Sequence, residues 1–263
     1  MLRKLLKYEY KATGRLLLPL YGSLLVAALI SRLCVKTGHG IYEMESSLGN
    51  IASLITMFIY GTIMAAVFIV TLFIILQRFY KNLLGDEGYL MNTLPVPVWK
   101  NICAKLIVAV TWNIISIIVS VLSIQILIYY PDMFKDLIDA IKLMWIEGLS
   151  AFGFKFIFMV CEYFLAGILY FISSILLFYA SMSVGNLANK GKIMVSFGAF
   201  LIIKSIVNTI LLSINMLIFQ IFNFGITGLI STSILWSIVS SSIISLIYFY
   251  ICNYILEKKL NLE

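Results

Sequence analysis

IASLITMFIYGTIMAAVFIVTLFIILQ, residues 51–77, carries no acidic or basic side chain. A helix crosses a ~30 Å hydrocarbon core with roughly 20 apolar residues, and at about 1.5 Å per residue this run does so with turns to spare. Working outward, five more stretches qualify: about 16–33, 103–129, 156–184, 193–222 and 226–255. The reading is an all-α polytopic membrane protein of six spans, a single membrane domain over 1–263 with a polar loop at 78–100 and another at 130–155.

The wider composition agrees. Of 263 residues 62% are hydrophobic and only 12% charged, against about half and a quarter in a soluble domain. The basic N-terminus runs into apolar sequence beyond signal-peptide length without a small-x-small cleavage site before Cys34, so it reads as an uncleaved anchor. A net charge of +7 sits beside apolar spans, where topology and lipid headgroups account for it, and no nucleic-acid partner is expected. Cys34, Cys103, Cys161 and Cys252 are scattered singly, and the only histidine is His39, so no metal site is expected.

Charge orients the spans. One set of flanks holds Arg3, Lys4, Lys7, Lys11, Arg15, Arg78, Lys81, Lys100, Lys105, Lys190, Lys192, Lys258 and Lys259; the other only Arg32, Lys36, Lys135, Lys142 and Lys155. The positive-inside rule makes the richer side cytoplasmic, with both termini and the 78–100 loop on it, in a cell membrane. Residues 2–11 set Leu2, Leu5 and Leu6 among bases, as in a helix lying at the inner headgroup level. Residues 132–147 group Phe134, Leu137, Ile138, Ile141, Met144 and Trp145 on one face, as in an outer-surface amphipathic helix. Either segment serves equally well as a plain lipid anchor or as part of a gate.

Familiar catalytic constellations are missing. The nearest approach to a P-loop, Gly185 to Gly191-Lys192-Ile193, has the wrong spacing and an isoleucine where magnesium needs a hydroxyl. One loop histidine and one intramembrane glutamate cannot assemble a zinc, serine or glutamate intramembrane protease. The chain is expected to be no enzyme.

The loop RFYKNLLGDEGYLMNTLPVPVWKNICAKL, residues 78–106, is more structured than a linker requires. Gly85 can break the preceding helix, Asp86 and Glu87 suit the positive end of a new one, and Pro95 stops it. Tyr89, Leu90, Met91 and Leu94 give this two-turn helix an apolar side suited either to a groove on a cytosolic partner or to the chain's own bundle. The run D-E-G-Y-L-M-N-T-L-P-V followed by A-K-L-I resembles the loop between the second and third spans of ABC-2 type transporter permeases. The matching positions are Glu87, Gly88, Tyr89, Leu90, Thr93, Leu94, Pro95, Val96, Lys105 and Leu106, with Pro97 standing where that pattern has serine.

The resemblance implies that residues 86–94 are a coupling helix receiving the motion of a separate cytosolic ABC ATPase, which would hold the ATP and Mg. It also implies half of a transmembrane pathway, paired with a second copy, as a homodimer rather than a heterodimer, or with a sister permease. Within that family the chain looks most like exporters of amphipathic peptides, including lantibiotic-immunity pumps and phenol-soluble modulin exporters. The rivals are a membrane scaffold or sensor that only recruits a cytosolic protein, and an ATP-independent channel or carrier.

Two ionisable groups fall inside spans, Glu162 and Lys204. Counting rise from opposite membrane edges puts their heights within about 5 Å of each other, and an ion pair between the fourth and fifth spans is expected, either as a structural clasp or in contact with substrate. Ser53, Thr56, Gly61 and Thr62 in the second span, and Ser205, Asn208, Thr209, Ser213 and Asn215 in the fifth, suit either a shared conduit or inter-helix packing.

Overall fold

The charge-free run at 51–77 is the centre of one long helix, α2 (Ser47–Phe79), in a computed structural model of the chain. The structure describes residues 2–40, 47–85, 88, 97–128, 133–188, 190–221 and 226–259. The other helices are α1 (Leu2–Gly40), α3 (Val98–Ile128), α4 (Met133–Phe152), α5 (Lys155–Gly185), α6 (Lys192–Ile221) and α7 (Ile226–Lys258). All but α4 are long and apolar enough to cross a membrane, six in all, and no strand occurs among the described residues. The protein is a multi-pass, all-α membrane protein, as its hydrophobic runs predict.

One boundary differs. The basic segment at 2–11 is not a separate interfacial helix but the first turns of α1. Nothing between Lys11 and Arg15 breaks a helix: Thr13 returns its hydroxyl to the Glu9 carbonyl at 2.8 Å, and Gly14 packs against the Trp112 ring. Helix α4 does form after Pro131, and every residue from 134 to 147 is exposed, with Trp145 meeting the Phe156 ring edge-on at 5.5 Å.

The helices group into two compact units. The first comprises Met1–Gln77 and Ile107–Asp136, the second Arg78–Leu106 and Leu137–Glu263.

The first unit packs α1, most of α2 and most of α3 around Leu17, Tyr21, Leu24, Ala28, Tyr60, Val67, Ile74, Val108 and Trp112. Lipid tails are as apolar as these side chains, so close packing and polar contacts must hold the helices together. Tyr10 bonds Thr111 at 2.7 Å, Trp112 donates its indole N–H to Thr13 at 2.7 Å, Tyr21 donates to the Trp112 carbonyl at 3.2 Å, and Tyr60 bonds Ser123 at 2.7 Å. Replacing Trp112 by Phe keeps most of the ring but deletes the buried donor. Thermal unfolding of the purified variant is expected to show a loss of about 1–2 kcal/mol; an unchanged midpoint would remove this bond from the account.

In the second unit α5 is the hub, packing on both α7 and α6, while α6 and α7 touch little. Two aromatic and polar contacts set the registers. Phe178 stacks on Phe200 with ring centroids 4.7 Å apart, and the short connection after Gly185 makes α5 and α6 antiparallel. Ser183 meets Cys252 at 3.4 Å, placing the C-terminal ends of α5 and α7 side by side. The α5–α6 connection closes at Gly191, whose φ of +68° falls in the left-handed region that glycine enters without strain.

Candidate functional site

The polar loop that carries the resemblance stands on two feet, and both belong to the second unit. At the first, α2 widens into a π turn, Tyr80–Leu84, closed by the Gly85 N–H on the Tyr80 carbonyl at 2.9 Å. Gly85 then leaves the helix in an extended conformation, the break its position predicts. Such turns occur frequently at functional sites.

Phe79, at the end of α2, is fully buried and stacks on Tyr179 of α5 at a centroid distance of 3.8 Å and an interplanar angle of 7°. Leu83 and Leu84 are buried with it. At the second foot, Asn101, Ile102 and Ala104 are buried at the start of α3, and Lys105 is only 5% exposed. Its ammonium lies 3.4 Å from the Arg78 carbonyl, where a lysine satisfies one of the acceptors left over at a helix C-terminus. The two feet are thus tied to each other, and the first to α5.

Asp86, Glu87, Tyr89, Leu90, Met91 and Leu94 lie outside the described residues. In the sequence Lys105 reads as a topological base and a motif match, and its spacing in A-K-L-I is the available signal for a buried role. Phe79 and Tyr179 had no such signal, being aromatics within apolar runs.

Within the same unit a cavity of about 620 Å³ opens between α5, α6 and α7. Its α6 wall is Phe200, Lys204, Val207, Asn208, Leu211 and Asn215, residues spaced to share one helical face. Tyr170, Ser173 and Ser174 of α5 and Ser233, Trp236, Ser237, Ser240, Ser241 and Tyr248 of α7 complete the polar lining. Of the fifth-span residues singled out from sequence, Asn208 and Asn215 reach this cavity. Ser205, Thr209 and Ser213 do not line it; they are exposed, and Thr209 and Ser213 bond back to their own helix. In the second span Thr62 likewise bonds back to Phe58, the Thr56 carbonyl accepts from Ser31, and the Ser53 side chain lies outside the described residues.

The predicted Glu162–Lys204 ion pair is not formed. The Lys204 ammonium sits over the Phe200 ring, 5.5 Å from its centroid, on the cavity wall. With Phe178 opposite Phe200, Lys204 falls level with about Ser174 of α5, leaving Glu162 twelve residues, roughly 18 Å, further along. The sequence estimate measured the two depths from opposite edges of a ~30 Å slab. Helix α5 has 31 residues, about 46 Å, so those two measurements do not meet.

Neither family models, nor curated proteins, nor solved structures yield a match to this chain.

Proposed function

We propose that this chain is the membrane-spanning subunit of an ATP-driven exporter of the ABC-2 type, moving amphipathic peptides out of the cell or its inner leaflet. The carrying observation is that the feet of the polar loop, 78–85 and 97–106, belong to the same compact unit as the polar cavity between α5, α6 and α7. A push on the loop reaches α5 through the Phe79–Tyr179 stack, and α5 walls the cavity on its other turns. Coupling by packed rigid elements requires such contiguity.

In this reading Asp86, Glu87, Tyr89, Leu90, Met91 and Leu94 dock in a groove of a cytosolic ABC ATPase, which binds the ATP and Mg. A second copy of the chain completes the pathway; α6 has no buried residue among those described, leaving surface for a partner helix or for lipid. The basic flanks and both termini face the cytosol.

Copurification with the candidate ATPase tests this, comparing wild type with Glu87→Arg plus Leu90→Asp, followed by ATP-driven peptide uptake into inverted vesicles. The double variant reverses a charge and places another on the apolar side. It is expected to retain less than about a tenth of the ATPase, consistent with losing a buried anchor, and to lose transport. Undiminished binding and transport would remove the coupling assignment; binding without transport in the wild type would favour a recruiting scaffold.

A further inference from the structure

We propose that the cavity between α5, α6 and α7 is a recognition site for the carboxylate of an amphipathic solute, with Lys204 as its counter-charge. This deepens the export reading and rests on it for the direction of travel, but the binding itself needs no ATPase.

Depth is the first consideration. Lys204 is twelve residues from the start of α6 and seventeen from its end, about 18 Å and 26 Å along the axis. Lys204 therefore stands in the interior of the helix, away from the ends where a lysine in a span usually reaches out to water. The aromatic face of Phe200 offers a cation part of what water would supply. No acidic residue stands among the described residues lining the cavity. An intramembrane ammonium without an acid beside it marks a pathway for something that brings the negative charge.

The remaining polar inventory agrees. Ser174, Ser237, Ser240 and Ser241 spend their hydroxyl protons on carbonyls of their own helices. Among the described residues the lining donors without such a bond are the Lys204 ammonium, the amides of Asn208 and Asn215 and the hydroxyls of Tyr170, Ser173 and Tyr248, while the indole N–H of Trp236 is buried without a partner. Indole nitrogen can only donate, and a buried donor left unpaired costs free energy until an acceptor arrives. A single cation suits a singly charged acceptor, whereas a phosphomonoester, with a charge of about −1.5 to −2, calls for a second.

The apolar remainder of the wall, Phe178, Phe200, Leu177, Val207, Leu211 and Ile244, takes the adjoining hydrocarbon. A volume of about 620 Å³ lies within the range of small-ligand pockets and admits the end of a chain rather than a folded domain. A resident phospholipid keeps its headgroup at the interface, whereas Lys204 stands in the interior of α6. The occupant is a solute in transit, whose carboxylate is either the C-terminus of an amphipathic peptide or the head of a fatty acid.

The test uses the full chain in phosphatidylcholine nanodiscs without ATPase, with binding corrected for empty discs. Two radiolabelled pairs separate the sources: oleate against oleyl alcohol, and one twenty-residue amphipathic helical peptide with a free against an amidated C-terminus. In wild type at least one acid is expected to bind about tenfold tighter than its neutral partner, as a charge-assisted hydrogen bond warrants. That preference should vanish in Lys204→Met and survive in Lys204→Arg. Discrimination within the peptide pair alone identifies a peptide terminus, within the oleate pair alone an acyl chain, and within both a general carboxylate site. No acid preference in the wild type, or a preference that persists in Lys204→Met, overturns the proposal. The wild-type comparison requires no variant to fold, and because no ATPase is present, neither outcome bears on whether residues 86–94 couple to one.

Discussion

Phe79→Ala is expected to cost the purified chain about 3–5 kcal/mol, the range for removing a fully buried phenylalanine ring. The ring is wholly inaccessible and lies nearly parallel to Tyr179, so truncation forfeits both buried contacts and a stacking interaction of about 0.5–1.5 kcal/mol beyond area. Surrounding helix ends are tied by the Lys105–Arg78 contact and cannot simply close the gap. Phe79→Leu, which refills most of the volume, should recover more than half of the loss. Thermal unfolding of the three proteins in one detergent measures this. An alanine variant that melts with the wild type would mean that the foot of the loop is not anchored on α5. If residues 86–94 receive an ATPase, the same variant should also retain ATPase binding while losing much of the peptide-stimulated turnover, because the docking surface persists and its connection to the cavity does not.

The spans were legible because a charge-free window of some 20 residues has few stable alternatives in lipid, where a helix satisfies its own backbone. Registers between helices were not. The depth estimate for Glu162 and Lys204 needed the tilt and overhang of α5 and α6, which follow from where Phe178 meets Phe200 and not from the length of either run. The polar face of α6 was half legible: Lys204, Asn208, Leu211 and Asn215 fall at i, i+4, i+7 and i+11, a spacing that separates them from Ser205, Thr209 and Ser213 one position round the helix. What the spacing could not reveal was a cavity in front of that face. The continuity of the basic N-terminus with α1 was readable in principle, since no proline precedes Pro19, but charge density suggested an interfacial helix instead.

Gly185→Ala is the second large effect, and its cause is the opposite of a cavity. Gly185 is buried at the end of α5, and a Cβ there would overlap the Ser196 hydroxyl and come within 2.5 Å of the Ser196 amide nitrogen and 2.6 Å of its Cα. A side-chain tip can rotate away; the backbone of α6 cannot move without shifting the helix. Small residues at such crossings are what let membrane helices approach closely. Overpacking costs typically 1–3 kcal/mol and occasionally more, and with two backbone atoms in the way the expected loss is about 3 kcal/mol. The double variant Gly185→Ala with Ser196→Gly discriminates: it removes the hydroxyl but leaves the nitrogen and Cα, so it should restore less than half of the stability. Full restoration would show that only the hydroxyl was in contact, and an unchanged melting point in the single variant would deny the close approach altogether. The consequence extends to the cavity, because this contact lies at the stem of the hairpin that brings Phe178 to Phe200 and Lys204 level with Ser174. Spreading the stem should therefore weaken the acid preference of the wild-type site without touching any residue that lines it, a result that a purely local role for Gly185 would not produce.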